Sequence, residues 1–252
     1  QMLTLVAMEP PAQMDAESLR DEKVKVLKSV RAISRDAVAA HAFRAQYSAG
    51  KILGQSVPAY TDEPDVNKDS VTETYAFLKL YIDNWRWRNV PFYLRTGKRM
   101  AERSSMISIR FKHPPQQLFR PTQIESLTPN WILLGIQPDE CMRIELQVKQ
   151  PGLEMQTRTT HLDASYADPE CNHLDAYEAL LLDIMQNDST LFLRYDEIQL
   201  AWQIIDPVLQ EWAINKDFIH TYPAGSWGPS NDTRIFDHDS QYWRNSLDFL
   251  QN

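Results

Sequence analysis

A group of cationic side chains around one glycine is the part of this sequence best suited to chemistry. Basic residues follow an apolar segment that ends at Leu94, and they surround Gly97: Arg95, Lys98, Arg99 and Arg103. The chain has a formal net charge of -8, so this local reversal of sign needs an explanation. Such a turn can hold a phosphate, because glycine lets the backbone come close while lysine and arginine donate charged hydrogen bonds. Taken alone, these residues favour a solvated basic turn, and the rest of the chain reverses that preference.

Alternating residues predict the strands that would carry this turn. Strand-like patterns occur at residues 72–82, 106–112, 131–137 and 142–149. Strict alternation of apolar and polar residues is typical of antiparallel strands that have one buried face and one face in solvent. The joining segments are too short for crossover helices, so the sequence favours a meander-like sheet.

Helical periodicity brackets these strands. It covers residues 15–40, 174–185 and 196–212. Asp15 or Ser18 can cap the first of these helices, and Pro207 would kink or divide the last. Residues 48–70 predict a long irregular connection. Strands bracketed by helices are typical of an α+β domain.

Composition and charge exclude several classes of protein. Hydrophobic residues make up 43% and charged residues 24% of the 252 positions, as in ordinary globular proteins. The acidic balance disfavours binding to nucleic acid or to an anionic membrane, because both need a cationic face. Cys141 and Cys171 have no CxxC spacing, and no apolar run approaches the roughly 18 residues of a membrane span. We therefore expect a reduced, cytoplasmic protein without a signal peptide.

The basic turn lies in a segment that matches a known family. Val90-Pro-Phe-Tyr-Leu-Arg-Thr-Gly-Lys98 closely resembles the VPFYLRTGK signature of glucose-6-phosphate dehydrogenases. Further segments resemble the family in the family's own order: Arg20-Asp-Glu-Lys-Val-Lys-Val-Leu-Lys28, Arg44-Ala-Gln-Tyr47, Asp83-Asn-Trp-Arg-Trp87, Gln137-Pro-Asp-Glu140, Leu162-Asp-Ala-Ser-Tyr166, Asp175-Ala-Tyr-Glu178, Arg194-Tyr-Asp-Glu197, Ala201-Trp202 and Ala224-Gly-Ser-Trp-Gly-Pro229. The resemblance covers essentially the whole chain, but only the C-terminal part of the family's chain.

The resemblance implies a fold and a function. Residues 1–252 would form the family's C-terminal domain, an α+β domain with a large, mainly antiparallel sheet and helices covering one face. The other sheet face would carry the contact of a homodimer or homotetramer, and the alternation leads us to expect a polar contact face. The whole enzyme would oxidise glucose 6-phosphate to 6-phosphogluconolactone with NADP, in the oxidative pentose phosphate pathway.

Hydride transfer needs groups that this sequence lacks. No GxGxxG-like turn for a nicotinamide dinucleotide is present. The family's base is a histidine in an Asn-His pair, and the neighbours of Asn172-His173 do not fit that pattern. We therefore expect no catalytic residue here, a base upstream of Gln1, and NADP bound by an N-terminal Rossmann domain that is absent. Residues 1–8 agree, because they are apolar at helical spacing without a cap or an initiator Met.

A chain of this kind would be inactive alone. The alternative is a paralogue without chemistry, either a module that binds a sugar phosphate or one that mediates an interaction. An Asn-His pair and a GxGxxG-like turn encoded upstream of Gln1 would favour the enzyme, whereas an initiator Met close to Gln1 would favour the module.

The resemblance assigns part of a substrate site. Lys98 matches the family lysine that reaches the phosphate of glucose 6-phosphate, and Arg103 matches a position that adds a second cation. Gln137 matches a residue that contacts the substrate in some members. Without the family, Gln137 is better interpreted as a strand-end amide bonded to the backbone. The substrate-binding residues are therefore predicted to be Lys98, Arg103 and Gln137.

Some family members also bind a second, structural NADP through basic residues. Arg95 matches one of these, but uncharged residues stand at other positions where such members have Lys or Arg: Ser104, Ser108, Gly135 and Trp227. Each lost charge-assisted contact is worth about 1.5–3 kcal/mol. We therefore expect no structural NADP, and a structural role for Arg95 beside a carboxylate.

Other candidate sites have simpler explanations. The histidines show no HxxxH or HExxH spacing, so no metal site is predicted. Trp85 and Trp87 lie beside arginines and could stack on nucleic acid, but at period two they divide between core and surface. Asp175 and Glu178 could serve as an acid–base pair, although favourable charges at a helix N-terminus explain them more simply.

Overall fold

The computed structural model describes residues 1–113, 128–138, 140–154, 156–166, 176–216 and 218–247. The chain divides into two compact units. The first unit comprises Gln1–Ala101 and His173–Tyr242, and the second comprises Glu102–Asn172 and Trp243–Asn252. Each unit is described by itself below.

The first unit contains the helices of the described residues. These are α1 (Met2–Ala7), α2 (Ala16–Ser29), α3 (Val38–His41), α4 (Ala176–Gln186) and α5 (Tyr195–Ile214), with short 3-10 turns at Arg35–Ala37, Tyr60–Asp62 and Asp232–Ile235. Asp15 caps α2 as predicted, and its carboxylate accepts the Ser18 backbone N–H at 2.9 Å. Pro207 does not divide α5, which is one helix. The predicted start of α4 at residues 174 and 175 lies outside the described residues.

Ten strands form three sheets in the described residues. They are β1 (Ala42–Ser48), β2 (Gly50–Ile52), β3 (Gln55–Val57), β4 (Tyr75–Tyr81), β5 (Pro91–Gly97), β6 (Ser105–Arg110), β7 (Trp131–Gln137), β8 (Cys141–Lys149), β9 (Thr157–Ser165) and β10 (His220–Pro223). In the first unit the order is β10-β1-β4-β5, with β1 and β10 parallel and the other pairs antiparallel. β2 and β3 form a two-stranded ribbon, where the sequence predicted an irregular connection.

Aromatic residues fill the core beside the first sheet. Phe43, Phe77 and Tyr75 are buried, and so is Tyr222 on β10. The Tyr75 and Tyr222 ring centroids are 5.6 Å apart, and those of Phe77 and Phe236 are 5.5 Å apart. Burying such large side chains is the main stabilising term for the strands that carry the basic turn.

A buried ion pair and a surface cluster join α2 to α5. Lys23 of α2 lies 3.7 Å from Glu197 of α5, and both side chains are buried. Arg194, which precedes α5, contacts the carboxylates of Glu17 at 2.6 Å and Asp21 at 2.7 Å. These contacts bring together two segments of the family pattern that are far apart in the chain.

The second unit contains an antiparallel sheet in the chain order β6-β7-β8-β9. This is the predicted meander. The predicted strand at 131–137 coincides with β7, and the one at 142–149 begins one residue later than β8. Mixed helices and antiparallel sheets confirm the α+β class. The strands are distributed over two four-stranded sheets and a ribbon in the described residues, where the resemblance implied one large sheet.

The face of the second sheet that carries polar residues is the more buried one, contrary to expectation. Trp131 and Glu145 are opposite each other in β7 and β8, and both are buried, as is Leu133 on the same face. Arg244 explains this, because its guanidinium bonds both Glu145 carboxylate oxygens, at 2.8 and 3.1 Å, and lies over the Trp131 ring. A buried carboxylate is tolerated when it is paired and hydrogen-bonded in this way.

The opposite face of the second sheet is apolar and only partly covered. Pairing across the strands places these residues on it: Ile107, Ile109, Ile132, Leu134, Met142, Ile144, Leu146 and Leu162. They are half-buried, except for Leu162, which is 61% exposed. The alternation therefore identified which residues share a face, but the buried face was assigned wrongly.

Candidate functional site

The predicted phosphate site lies where β5 ends. β5 pairs with β4 so that Gly97 is opposite Tyr75, and Lys98 follows directly. A β-carbon at Gly97 would lie 3.0 Å from the buried Tyr75 ring, closer than side chains ordinarily pack. The next residue but one, Arg99, has a positive φ of 51°. The chain therefore turns sharply at the position where the sequence predicted a glycine-containing cationic turn.

Backbone hydrogen bonds hold this turn against Thr74 and the residues that follow β10. The Lys98 N–H donates to the Thr74 carbonyl at 2.8 Å, and the Ala101 N–H donates to the Ser226 carbonyl at 2.9 Å. The Gly225 N–H donates to the Arg99 carbonyl at 2.8 Å. The segment at residues 222–226 therefore acts as a support for the basic turn.

Glycine is required in this support. Gly225 has a φ of 85°, and a β-carbon there would lie 1.9 Å from the Lys51 carbonyl oxygen. Gly228 has a φ of 111°, and its β-carbon would lie 2.8 Å from the ring of Tyr75. Other residues are strained at such φ values, so the Ala224-Gly-Ser-Trp-Gly-Pro229 segment has a structural reason for both glycines.

The cations of the turn differ in how they are paired. The Arg99 guanidinium donates to Glu63 at 3.0 Å, and Glu63 also accepts the Tyr47 hydroxyl at 3.0 Å. These contacts, the one to Arg99 above all, hold the pKa of the Glu63 carboxyl below its usual value. Lys98 is exposed, and its ammonium has no hydrogen bond or ion pair among the described residues. Lys98 is therefore free to bind an anion, whereas Arg99 is occupied.

The other predicted substrate residues belong to the second unit. Arg103 precedes β6, and Gln137 ends β7 opposite Ser105. Both are exposed, and within the described part of the chain neither side chain has a hydrogen bond. Arg103 is two residues before Ser105, the partner of Gln137, so Arg103 and Gln137 lie near the same end of the second sheet. Among the described residues, Gln137 makes no side-chain bond to the backbone, which was its alternative interpretation.

Arg95 is built into the first unit. Its Nη1 donates to the Trp227 carbonyl at 3.3 Å, and its guanidinium lies over the Trp227 ring. Burial lowers the pKa of Arg95, while Tyr75 and Asp232 act in the opposite direction. The Tyr75 hydroxyl donates to Asp232. This environment agrees with the expected structural role beside a carboxylate.

Among the described residues, the remaining candidates do not form a second site. Trp85 is fully exposed, whereas Trp87 donates its Nε1–H to the Ala7 carbonyl at 2.9 Å and packs against Phe92, so the pair divides between surface and core as predicted. The Asn172-His173 pair and Asp175 lie outside the described residues. No cluster of metal-ligating side chains and no helix able to cross a membrane occurs in the described ranges.

Sequence reasoning missed the residues that support Lys98. Thr74 and Tyr222 contact the turn directly, and Tyr47 orients Glu63. Tyr222 lies just before the glycine-containing segment that matched the family. That position was the only sequence signal for its role in supporting Lys98. Contacts across 124 positions of sequence cannot be inferred from spacing.

Comparisons with known proteins identify the family to which the chain belongs. The family model for the C-terminal domain of glucose-6-phosphate dehydrogenase matches residues 1–244. The chain belongs to this family. It is 42% identical over 247 residues to the glucose-6-phosphate 1-dehydrogenase of Dickeya dadantii, covering 96% of this chain and 50% of that one. It is 42% identical over 246 residues to the Bacillus subtilis enzyme of the same name, covering 97% and 50%.

Solved structures of the glucose-6-phosphate dehydrogenase family are similar over the same extent. One, glucose-6-phosphate dehydrogenase in complex with its substrate glucose-6-phosphate, gives a TM-score of 0.81 at 32% identity and covers 96% of this chain and 49% of its own. The Mycobacterium avium structure gives 0.77 at 35% identity, covering 97% and 48%. The chain therefore spans about half the length of these relatives.

The Glu63 contacts predict how stability depends on pH. The folded-state pKa of Glu63 is lowered, so its contacts add stability above the pKa of the unfolded carboxyl. That stability is lost as the pH falls from the ordinary Glu range to the lower folded-state value. Glu63→Gln should therefore be less stable than the wild type near neutral pH, and the two melting temperatures should converge on acidification. A constant difference in melting temperature from pH 7 to about pH 3 would contradict this assignment.

Proposed function

We propose that this chain is the substrate-phosphate-binding half of a glucose-6-phosphate 1-dehydrogenase, with residues 1–252 as its C-terminal domain. The whole enzyme oxidises glucose 6-phosphate to 6-phosphogluconolactone with NADP, as a cytoplasmic step of the oxidative pentose phosphate pathway. The observation that supports this proposal concerns Lys98. Its backbone is hydrogen-bonded to its surroundings, while its exposed ammonium has no partner within the described ranges. Its segment matches the family signature, and one similar structure is a complex with glucose 6-phosphate.

The proposed roles follow from the chemistry of each side chain. Lys98 donates charged hydrogen bonds to the phosphate, and Arg103 adds a second positive charge. Gln137 can donate to or accept from a sugar hydroxyl, because its amide is exposed and unpaired in the described part of the chain. These residues bind and orient the substrate but move no proton.

The residues of this chain do not fit the catalytic NADP. A dinucleotide needs a strand, a glycine-rich turn and a helix N-terminus around its pyrophosphate, and the sequence contains no GxGxxG-like turn. The hydride acceptor and the base are therefore assigned to the half of the relatives that this chain does not span.

A fusion protein tests the function directly. The N-terminal half of the Bacillus subtilis relative is joined ahead of Gln1, and NADPH formation is followed spectrophotometrically with glucose 6-phosphate. The fusion should turn over, whereas this chain alone and the N-terminal half alone should match a buffer blank. Turnover by the chain alone would contradict the assigned division of labour. A folded fusion without activity would support a module that lacks chemistry.

Lys98 gives the sharpest prediction for the substrate site. In the fusion, Lys98→Ala should raise KM for glucose 6-phosphate by roughly ten- to a hundredfold, because a charge-assisted contact to phosphate is worth about 1.5–3 kcal/mol. KM for NADP should change much less. Arg103→Ala should act in the same direction but more weakly, since a longer exposed side chain is better screened. Lys28→Ala, on an exposed lysine of α2, is the matched control. An unchanged sugar-phosphate KM in Lys98→Ala would refute the assignment.

We also propose that no structural NADP binds to this chain. Ser104, Ser108, Gly135 and Trp227 supply no cations, and Arg95 is already engaged with Trp227. A ligand that binds only the folded state stabilises it by about 2.7 kcal/mol at a hundred times Kd. Millimolar NADP should therefore leave the melting temperature of the chain unchanged. Glucose 6-phosphate is added in a separate melt. A clear rise with NADP would show that other residues form the site.

We propose a homodimer or homotetramer that forms through the apolar face of the second sheet. The sequence favoured a polar contact face, but Ile144 and Leu162 lie opposite each other on an apolar face, and Leu162 is 61% exposed. Burying such a face is favourable by about 25 cal/mol per Å². Leu162→Arg should therefore shift sedimentation at micromolar concentration toward the monomer, whereas His161→Lys on the other face should not. Identical sedimentation of Leu162→Arg and wild type would contradict this contact.

A further inference from the structure

We infer that the buried hydroxyl of Tyr222 positions Lys98 for phosphate binding. Tyr222 is then a positioning residue, because it acts on the lysine backbone and does not touch the phosphate. The inference rests on the proposed function of Lys98. Its basis is a hydrogen bond of 2.7 Å from the Tyr222 hydroxyl to the Lys98 carbonyl, 124 positions away in the sequence.

The hydroxyl lies in a closed network of hydrogen bonds. Tyr222 is 1% exposed, and its oxygen is 3.2 Å from the Thr74 Oγ1 and 3.2 Å from the Thr74 carbonyl oxygen. The Thr74 Oγ1 accepts the Tyr47 backbone N–H at 2.9 Å, so its own proton is available to Tyr222. Tyr222 then donates its single proton to Lys98, whose carbonyl is the nearer acceptor. Burial raises the pKa of Tyr222, which keeps that proton in place at neutral pH.

Thr74 and Tyr222 together hold both peptide groups that flank the Lys98 α-carbon. The Lys98 N–H donates to the Thr74 carbonyl at 2.8 Å, and the Lys98 carbonyl accepts from Tyr222. The α-carbon of Lys98 is thus defined from both sides, although its side chain is exposed. Lysine has a long flexible side chain, so a fixed α-carbon limits the positions that the ammonium can occupy.

Removing the hydroxyl leaves the Lys98 carbonyl without its donor at a partly buried position. The turn continues through Arg99, whose φ is 51° and whose carbonyl accepts the Gly225 N–H. A shift of the Lys98 peptide would also move Arg99, the strained residue that follows it. A displacement of about 1 Å is enough to weaken binding by a positioned group strongly. Phenylalanine at position 222 therefore tests the hydroxyl alone, because it keeps the ring packed against Tyr75.

The experiment uses the fusion enzyme with Tyr222→Phe. KM for glucose 6-phosphate should rise about two- to tenfold, as expected for one hydrogen bond, while kcat and KM for NADP stay unchanged. The matched control is Tyr93→Phe, which removes a half-buried hydroxyl that donates to Gln241 at 2.9 Å and does not contact the turn. Equal KM values in the two variants would overturn the inference.

A double-mutant cycle separates positioning from general stability. In a Lys98→Ala background, Tyr222→Phe should have no further effect on KM for glucose 6-phosphate, because the group it positions is gone. The same rise in both backgrounds would overturn the inference. If Tyr222→Phe does not fold, 4-aminophenylalanine, which keeps a donor, and 4-fluorophenylalanine, which does not, replace tyrosine at this position. Wild-type KM with the donor and a raised KM without it support the inference, and equal KM values overturn it.

Failure of the inference is distinguishable from failure of the proposed function. If Lys98→Ala itself leaves the sugar-phosphate KM unchanged, the proposed role of Lys98 is wrong and the inference falls with it. If Lys98→Ala raises that KM but Tyr222→Phe does not, only the positioning role of Tyr222 is wrong.

Discussion

The hydrogen bonds between the basic turn at residues 97–101 and the segment at residues 222–226 are the interaction on which the proposed site depends. Residues 98–101 have no regular secondary structure of their own, and the Lys98 carbonyl, the Arg99 carbonyl and the Ala101 N–H pair with this segment. The sheet order β10-β1-β4-β5, in which β10 and β1 are parallel, brings the end of β10 to the turn that follows β5. The first sheet therefore brings the two ends of this contact together, and the glycines after β10 allow the backbones to approach.

Charge pairing separates the structural cations from Lys98, which is proposed to bind substrate. Arg99 is held by Glu63, Arg95 lies against Trp227 and near Asp232, and Arg244 is paired with a buried Glu145. Arg95 and Arg244 are the buried or partly buried ones, and they need such surroundings because an unpaired charge in the interior is costly. Lys98 is exposed and has no partner in the described residues. Its ammonium is therefore hydrated at little cost when no anion is bound. The same turn thus contains one cation engaged by a carboxylate and one available for binding.

The accuracy of the sequence-based strand predictions depended on how each strand is buried. β7 and β8 alternate clearly and were found with accurate limits. β1 was missed, because it is largely buried on both faces and its residues do not alternate. β9 was missed for the opposite reason, since its residues are mostly polar and exposed. Periodicity also placed the polar and apolar residues of the second sheet on opposite faces, but it could not show that Arg244 covers the polar one.

By itself, the sequence determined the family, the α+β class, the meander and the candidate residue Lys98, because these depend on local patterns and on a continuous match to the family. Tertiary structure decided which cations are engaged, which face of the second sheet is covered, and how the basic turn is supported. Those properties depend on contacts such as that between Tyr222 and Lys98, whose partners are 124 positions apart. Local sequence cannot specify such contacts, because folding alone brings the two residues within hydrogen-bonding distance.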